Sequence, residues 1–143
     1  MTCRWCQRIL AVILIELLIA CSAATPPTEL APNGEVVQKA IALQLNQTEQ
    51  RLSKNLIASS PKLEISKIIV TELKPLFIAQ LPAYHLQGTY NLKFILPRQQ
   101  VNQQNNRFDI YLQRQKEGKT WRLLKREVYR NNAGEKWRSY LIQ

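Results

Sequence analysis

At 143 residues the chain is long enough for one hydrophobic core and short for two, and 45% of its residues are apolar. Its 20 lysines and arginines outnumber 10 acidic residues, and the formal net charge of +10 favours anionic partners over cationic ones. One histidine, three cysteines and four glycines leave little material for an acid–base centre, a disulfide framework or a glycine-rich phosphate loop.

The chain begins with Arg4 and Arg8 ahead of an apolar run from Ile9 to Ala20 that is broken by Glu16. A membrane-spanning helix needs about 20 predominantly apolar residues. The run is shorter than that and has the proportions of a secretory signal. It ends on Leu18-Ile19-Ala20-Cys21, with Leu three positions before Cys and a small Ala directly before it. This resembles the lipobox of bacterial lipoproteins. The resemblance implies cleavage before Cys21, a diacylglyceryl thioether on its sulfur, and a protein held at a membrane. An uncleaved anchor, or an ordinary signal cut among Ser22, Ala23 and Ala24, is the alternative, because the Glu16 carboxylate costs apolar transfer energy. Cys3 and Cys6 form a C-x-x-C pair inside the signal, and two thiols do not complete a tetrahedral zinc site. No metal and no cofactor is expected.

From Ser22 to Pro32 the sequence SAATPPTELAP has no apolar periodicity. With Cys21 it is expected to be a flexible linker, residues 21–32, extended at about 3.1 Å per residue. Asn33 is placed to cap a helix and Glu35 to favour its dipole. Val37, Ile41, Leu45, Leu52 and Leu56 recur at helical spacing, with Thr48 among them. The pattern predicts one long amphipathic helix over roughly 34–58, its stripe facing the core, ended by Ser59-Ser60-Pro61.

The period then switches to two. Leu63 to Leu73 reads as a first strand with a bulge or two-sided burial around Ile68-Ile69-Val70. Pro75 and Pro82 bracket PLFIAQLP, expected to be an apolar connection outside the central strands. In the second strand Tyr84, Leu86, Gly88, Tyr90, Leu92, Phe94 and Leu96 share one face, opposite His85, Gln87, Thr89, Asn91 and Lys93. The polar stretch Pro97 to Asn106 reads as an exposed hairpin connection. Phe108, Ile110 and Leu112 mark a third strand, and Glu117-Gly118 turns it into Thr120 to Tyr129. Asn131-Asn132-Ala133-Gly134 leads to a closing strand, Lys136 to Ile142.

The expected class is α+β: one long N-terminal amphipathic helix on a curled four-stranded antiparallel sheet, as a single domain over residues 33–143. That element order resembles cystatin-like and nuclear-transport-factor-2-like rolls. The segments VVQKAIALQLNQTEQRLS, LPAYHLQGTYNLKF, YLQRQKEGKTWRLL and WRSYLI resemble a narrower group, uncharacterised cyanobacterial lipoprotein-like proteins. This resemblance covers nearly all of the mature domain. It implies a fold and a membrane address facing the periplasm, or the thylakoid lumen in a cyanobacterium, and no chemistry.

Catalysis needs convergent titratable groups, and His85 and Asp109 are the only histidine and aspartate. A hairpin bend over 97–106 sets Asp109 opposite approximately Phe94, roughly 30 Å along the sheet from His85. No Gly-x-Ser-x-Gly elbow is present and no enzyme is expected. Charge is the more informative signal. Residues 93–143 hold 12 Lys and Arg against 4 Asp and Glu, so 8 of the excess positive charges lie there. Arg114, Lys119, Arg122, Lys125, Arg126, Arg130 and Arg138 are the candidate contacts to an anionic surface, either lipid or an acidic protein. Interleaved Tyr111, Trp121, Tyr129, Trp137 and Tyr140 also suit a nucleic-acid platform, but export separates the chain from nucleic acid. The bland alternative is a solvated basic surface with Trp121 and Trp137 in the core. The preferred reading is a non-enzymatic, lipid-anchored docking module. The other is a carrier or sensor whose pocket between helix and sheet is lined by Tyr84, Tyr90, Phe94 and Trp121.

Overall fold

A computed structural model describes residues 24–53, 61–128 and 135–143. Helix α1 (Gly34–Ser53) is followed by β1 (Lys62–Ile78), β2 (Leu81–Ile95), β3 (Gln100–Arg114), β4 (Trp121–Val128) and β5 (Glu135–Leu141). The strands form one antiparallel sheet in the order β1-β2-β3-β4-β5, curled into a half-barrel with α1 on its inner face. The sheet therefore has five strands, not four. Every strand segment marked by the alternation finds a partner, the short closing one included, since Leu123 pairs with Tyr140 and Val128 with Glu135.

Helix α1 starts where the side chain of Asn33 takes over a backbone partner: its Oδ1 accepts from the Val36 N–H at 3.0 Å. An ion pair of 2.9 Å between Lys39 and Glu35 braces the first turns and holds the Glu35 carboxyl below its ordinary range. Val37, Ala40 and Ile41 are buried against the sheet. Leu45 is half-buried there and Thr48 is exposed, its hydroxyl donating back to the Gln44 carbonyl. The part of the expected helix beyond Ser53, Leu56 included, lies outside the described residues, as does the side chain of Leu52.

The inner face of the sheet is built from Tyr84, Leu86, Tyr90 and Leu92 of β2, Phe108, Ile110 and Leu112 of β3, and Leu123 of β4, all buried. The β2 alternation is thus the one read from sequence. In β1 the inward residues Leu63, Ile65, Ile68 and Leu73 are not evenly spaced. Two β-bulges absorb the surplus. Lys67 and Ile68 together oppose Tyr90, and Thr71 is inserted between the Val70–Gly88 and Glu72–Gln87 pairs. Each bulge restores the phase, returns the next apolar side chain to the helix side, and adds curl. Ile69 is left 58% exposed, so the irregularity is a bulge and not two-sided burial.

Three connections differ from expectation. PLFIAQLP is no loop: β1 runs through Pro75 to Ile78, a two-residue turn at Ala79 and Gln80 follows, and β2 starts at Leu81. Both turn residues have positive φ, 49° and 64°, the sign pattern of a type I′ hairpin built without its usual Asn or Gly. The prolines fit because β1 is an edge strand and Pro82 lies beyond the first β2–β3 pair, Ala83–Gln113. Second, Pro97 to Asn106 is mostly strand. A tight turn closes with Leu96 N–H donating to the Gln99 carbonyl, and β3 begins at Gln100. Its polar residues face solvent, so hydrophobic alternation carried no trace of it. A bulge at Gln104 and Asn105, with Asn105 at φ 55°, bends this arm.

Third, the linker is not free throughout. Pro26 is buried, Thr28–Leu30 forms a 3-10 turn, and the buried Tyr84 hydroxyl donates to the Pro27 carbonyl at 2.7 Å. A buried phenol needs an acceptor, and the extended proline backbone supplies one.

Gly88 sits where β1 comes closest to β2. A Cβ there would meet the Ile69 carbonyl oxygen and come within 2.8 Å of the Phe108 ring. Gly88→Ala is expected to cost about 1–3 kcal/mol, measured by denaturant unfolding. The double substitution Ala79→Asn, Gln80→Gly is expected to raise stability by about 1 kcal/mol, since it replaces two residues that left-handed backbone disfavours with two that adopt it readily. An unchanged denaturation midpoint would contradict the turn geometry.

Candidate functional site

Two regions gather polar side chains, one on each face of the sheet. On the outer face, away from α1, cross-strand register places Lys74 beside His85 and Tyr111, and Glu72 beside Gln87 and Asp109. The tight turn at Pro97 and Arg98, together with the β3 bulge, sets Asp109 opposite Gln87, while Phe94 pairs with Val101. The sequence-based separation of His85 and Asp109 is therefore wrong: His85 Nε2 lies 2.7 Å from Asp109 Oδ1. Placing the turn at Pro97-Arg98 brings Asp109 opposite Leu86, one residue short of this register, and the bulge at Gln104 and Asn105 supplies the last step.

Gln87 Nε2 donates to the other carboxylate oxygen, Oδ2, at 2.8 Å. With both oxygens of Asp109 accepting, the network assigns the neutral imidazole proton to Nε2. The ring lies flat on Tyr111, centroids 4.2 Å apart and planes 3° off parallel, and Trp137 meets Tyr111 edge-on at 5.0 Å. Asp109 also borders a groove of about 540 Å³ with Thr71, Gln87, Gly88, Thr89, Arg107 and Phe108. A hydrogen bond of 2.6 Å to Glu72 raises the Lys74 pKa. Chemically this is a cross-strand clamp that fixes an imidazole. Among the described residues no hydroxyl hydrogen-bonds His85, and no three His, Cys, Asp or Glu side chains gather as metal ligands.

The second region lies between the last turns of α1 and the inner side of β4 and β5. A groove of about 540 Å³ is lined by Gln47, Gln50, Arg51, Lys125, Arg126, Glu127, Arg138 and Tyr140. Lys125 and Arg138 are direct cross-strand partners, a like-charge pairing that is unfavourable by itself. Arg138 is compensated through a forked contact to Glu127, Nε to Oε1 at 3.0 Å and Nη2 to Oε2 at 3.2 Å. Lys125 has instead the face of Tyr140, its Nζ 5.6 Å from the ring centroid. Burial, and then the Arg51 guanidinium, push the Lys125 ammonium below its ordinary range.

The seven basic residues singled out by sequence do not share one face. Arg114 is bonded through Nε and Nη2 to the Gly118 carbonyl in the β3–β4 turn, where Lys119 is exposed. Arg122 donates to Ser139 Oγ at 3.0 Å on the outer face, and Arg126, on the same strand face opposite Trp137, also borders the inner groove. Lys125 and Arg138 meet in the inner groove, and Arg130 lies outside the described residues. Arg51 joins them from the helix. Sequence reading passed over it because its charge counts with α1 and not with the basic strands. Tyr84, Tyr90, Phe94 and Trp121 all belong to the core cluster, Tyr84 and Tyr90 buried and the other two half-buried. Trp121 packs on Tyr84 with centroids 6.0 Å apart.

Asp109→Ala leaves two donors without their acceptor and is expected to cost about 1 kcal/mol, read from thermal unfolding. Nitrogen NMR of His85 should show the Nε2–H tautomer in the wild type. A neutral Nδ1–H form would contradict the clamp.

Among the described residues no helix is long and apolar enough to cross a membrane. No protein-family model, curated protein or solved structure matches the chain.

Proposed function

We propose that this protein is a non-enzymatic accessory module, anchored through a lipid on Cys21, that docks positive surface against an anionic membrane or an acidic protein held there. The observation that carries the reading is the inner groove, where Arg51, Lys125 and Arg138 converge on a chain of net charge +10. A protein tethered at a bilayer meets lipid headgroups at high local concentration, so even modest attraction is amplified by the anchor. The Leu18-Ile19-Ala20-Cys21 motif and the resemblance to cyanobacterial lipoprotein-like proteins support the address, a periplasmic or thylakoid-lumenal membrane face.

Palmitate labelling of the full chain and of Cys21→Ala, followed by membrane fractionation, tests the anchor. Wild type is expected to be labelled and membrane-bound, and Cys21→Ala to be unlabelled. Raising salt from about 0.05 to 0.5 M, which shortens the Debye length from roughly 14 to 4 Å, is expected to weaken any association beyond the acyl chain. Soluble, unlabelled wild-type protein would overturn the address.

A further inference from the structure

Among the described residues, the groove holds two cations that no carboxylate answers. Its one lining carboxylate, Glu127, is engaged by Arg138 at both oxygens. Among the described residues neither Arg51 nor Lys125 has an ion-pair partner. They come from different elements, the end of α1 and the middle of β4, so local sequence did not force them together. Packing the helix on the sheet brings them to the same concave place. Burial works against the charge of Lys125, Arg51 repels it, and the negative end of the α1 dipole is too weak to neutralise both. Such an arrangement is stabilised when an anion enters.

We propose that the groove between α1 and β4–β5 is a binding site for a phosphate group, held by Arg51 and Lys125. Guanidinium geometry suits two phosphate oxygens at once, and the lysine ammonium supplies a point charge. Gln47 and Gln50 add neutral amide donors along the helix side, which suits an anion with several acceptor oxygens better than a single carboxylate. At about 540 Å³ and open to solvent, the groove admits a phosphate attached to a larger body. The inference rests on the docking reading above and names what the basic surface recognises. Helix α1 is 20 residues long, about 30 Å, and the groove lies at the end far from the linker. Contact with headgroups at that end therefore sets α1 roughly along the membrane plane.

The test uses the full chain and the double variant Arg51→Gln, Lys125→Gln. Inorganic phosphate is titrated against chloride at matched ionic strength, followed by NMR shifts of groove residues such as Tyr140. Binding to vesicles of pure phosphatidylcholine and of phosphatidylcholine with phosphatidylglycerol is measured in parallel. The expected result is a phosphate-specific shift that the double variant loses, and a preference for anionic vesicles that it weakens at least tenfold. Folding of the variant is controlled by its own stability. The folded-state pKa of Lys125 lies below its unfolded value, so its charge opposes folding at neutral pH and that cost disappears as pH rises past the lysine range. The double variant is accordingly expected to unfold no earlier than wild type at pH 7.

The outcomes separate the two claims. A preference for anionic vesicles that the double variant keeps in full, with no phosphate shift that it loses, overturns the phosphate site and leaves docking intact. Phosphate binding without any vesicle preference supports the site with free phosphate as its source and overturns membrane docking. Equal shifts with chloride, or stronger competition by an acidic peptide than by phosphate, overturn the phosphate assignment.

Discussion

The structure depends on keeping one face of a long, curled sheet apolar. Strand β1 runs for 17 residues, and a regular strand in the phase of Leu63 and Ile65 would turn Ile68 away from the core. The two bulges opposite Tyr90 and beside Gly88 correct the phase twice, and each adds local twist. Curl follows from phase correction. It wraps the inner face around Val37, Ala40 and Ile41, so that one helix suffices to close the core. Gly88 is the point where this becomes a steric demand, because the bulged backbone of β1 and the Phe108 ring both occupy the place of a side chain.

The two ends of α1 then acquire different characters. At its start the chain is sealed: Pro26 is buried, Tyr84 binds the Pro27 carbonyl, and Arg114 and Trp121 lie beside residues 29–33. At its far end the inner face changes from apolar to charged, with Arg51 over Lys125, Glu127 and Arg138. Between these ends Val37, Ala40 and Ile41 share one buried cluster with Tyr84, Leu86 and Leu123. The outer face is built differently, around a small cluster of Ile78, Ala83 and Leu124 beside the His85–Tyr111–Trp137 stack. Gln113, buried between strands, donates to the Ile78 carbonyl at 2.8 Å and ties that cluster to the end of β1.

How much of this was legible depended on burial. The β2 face, Tyr84 through Leu92, could be read because every second residue is buried, and period-two hydrophobicity records burial directly. The polar arm of β3 could not, because Gln100 to Asn105 pair through their backbones while their side chains stay wet. The Ala79-Gln80 turn also escaped, since it lacks the residues that ordinarily signal positive φ. Those two connections fix the registers of β2. Missing the β2–β3 connection moved Asp109 away from His85, although the atoms are in hydrogen-bond contact.

By itself the sequence determined the class and order of the elements, the N-cap of α1, the inward face of β2 and the excess of positive charge in the last strands. These are local or compositional properties, written in spacing and counts. Only the tertiary structure decided which groups come together: the Tyr84 hydroxyl with the Pro27 carbonyl, His85 with Asp109, and Arg51 with Lys125 on the lining of one groove. Each of those meetings joins separate elements, and its geometry depends on bulges, turns and helix docking set by packing across the whole sheet. A one-residue slip between β2 and β3 would exchange the two faces of β3 and part His85 from Asp109.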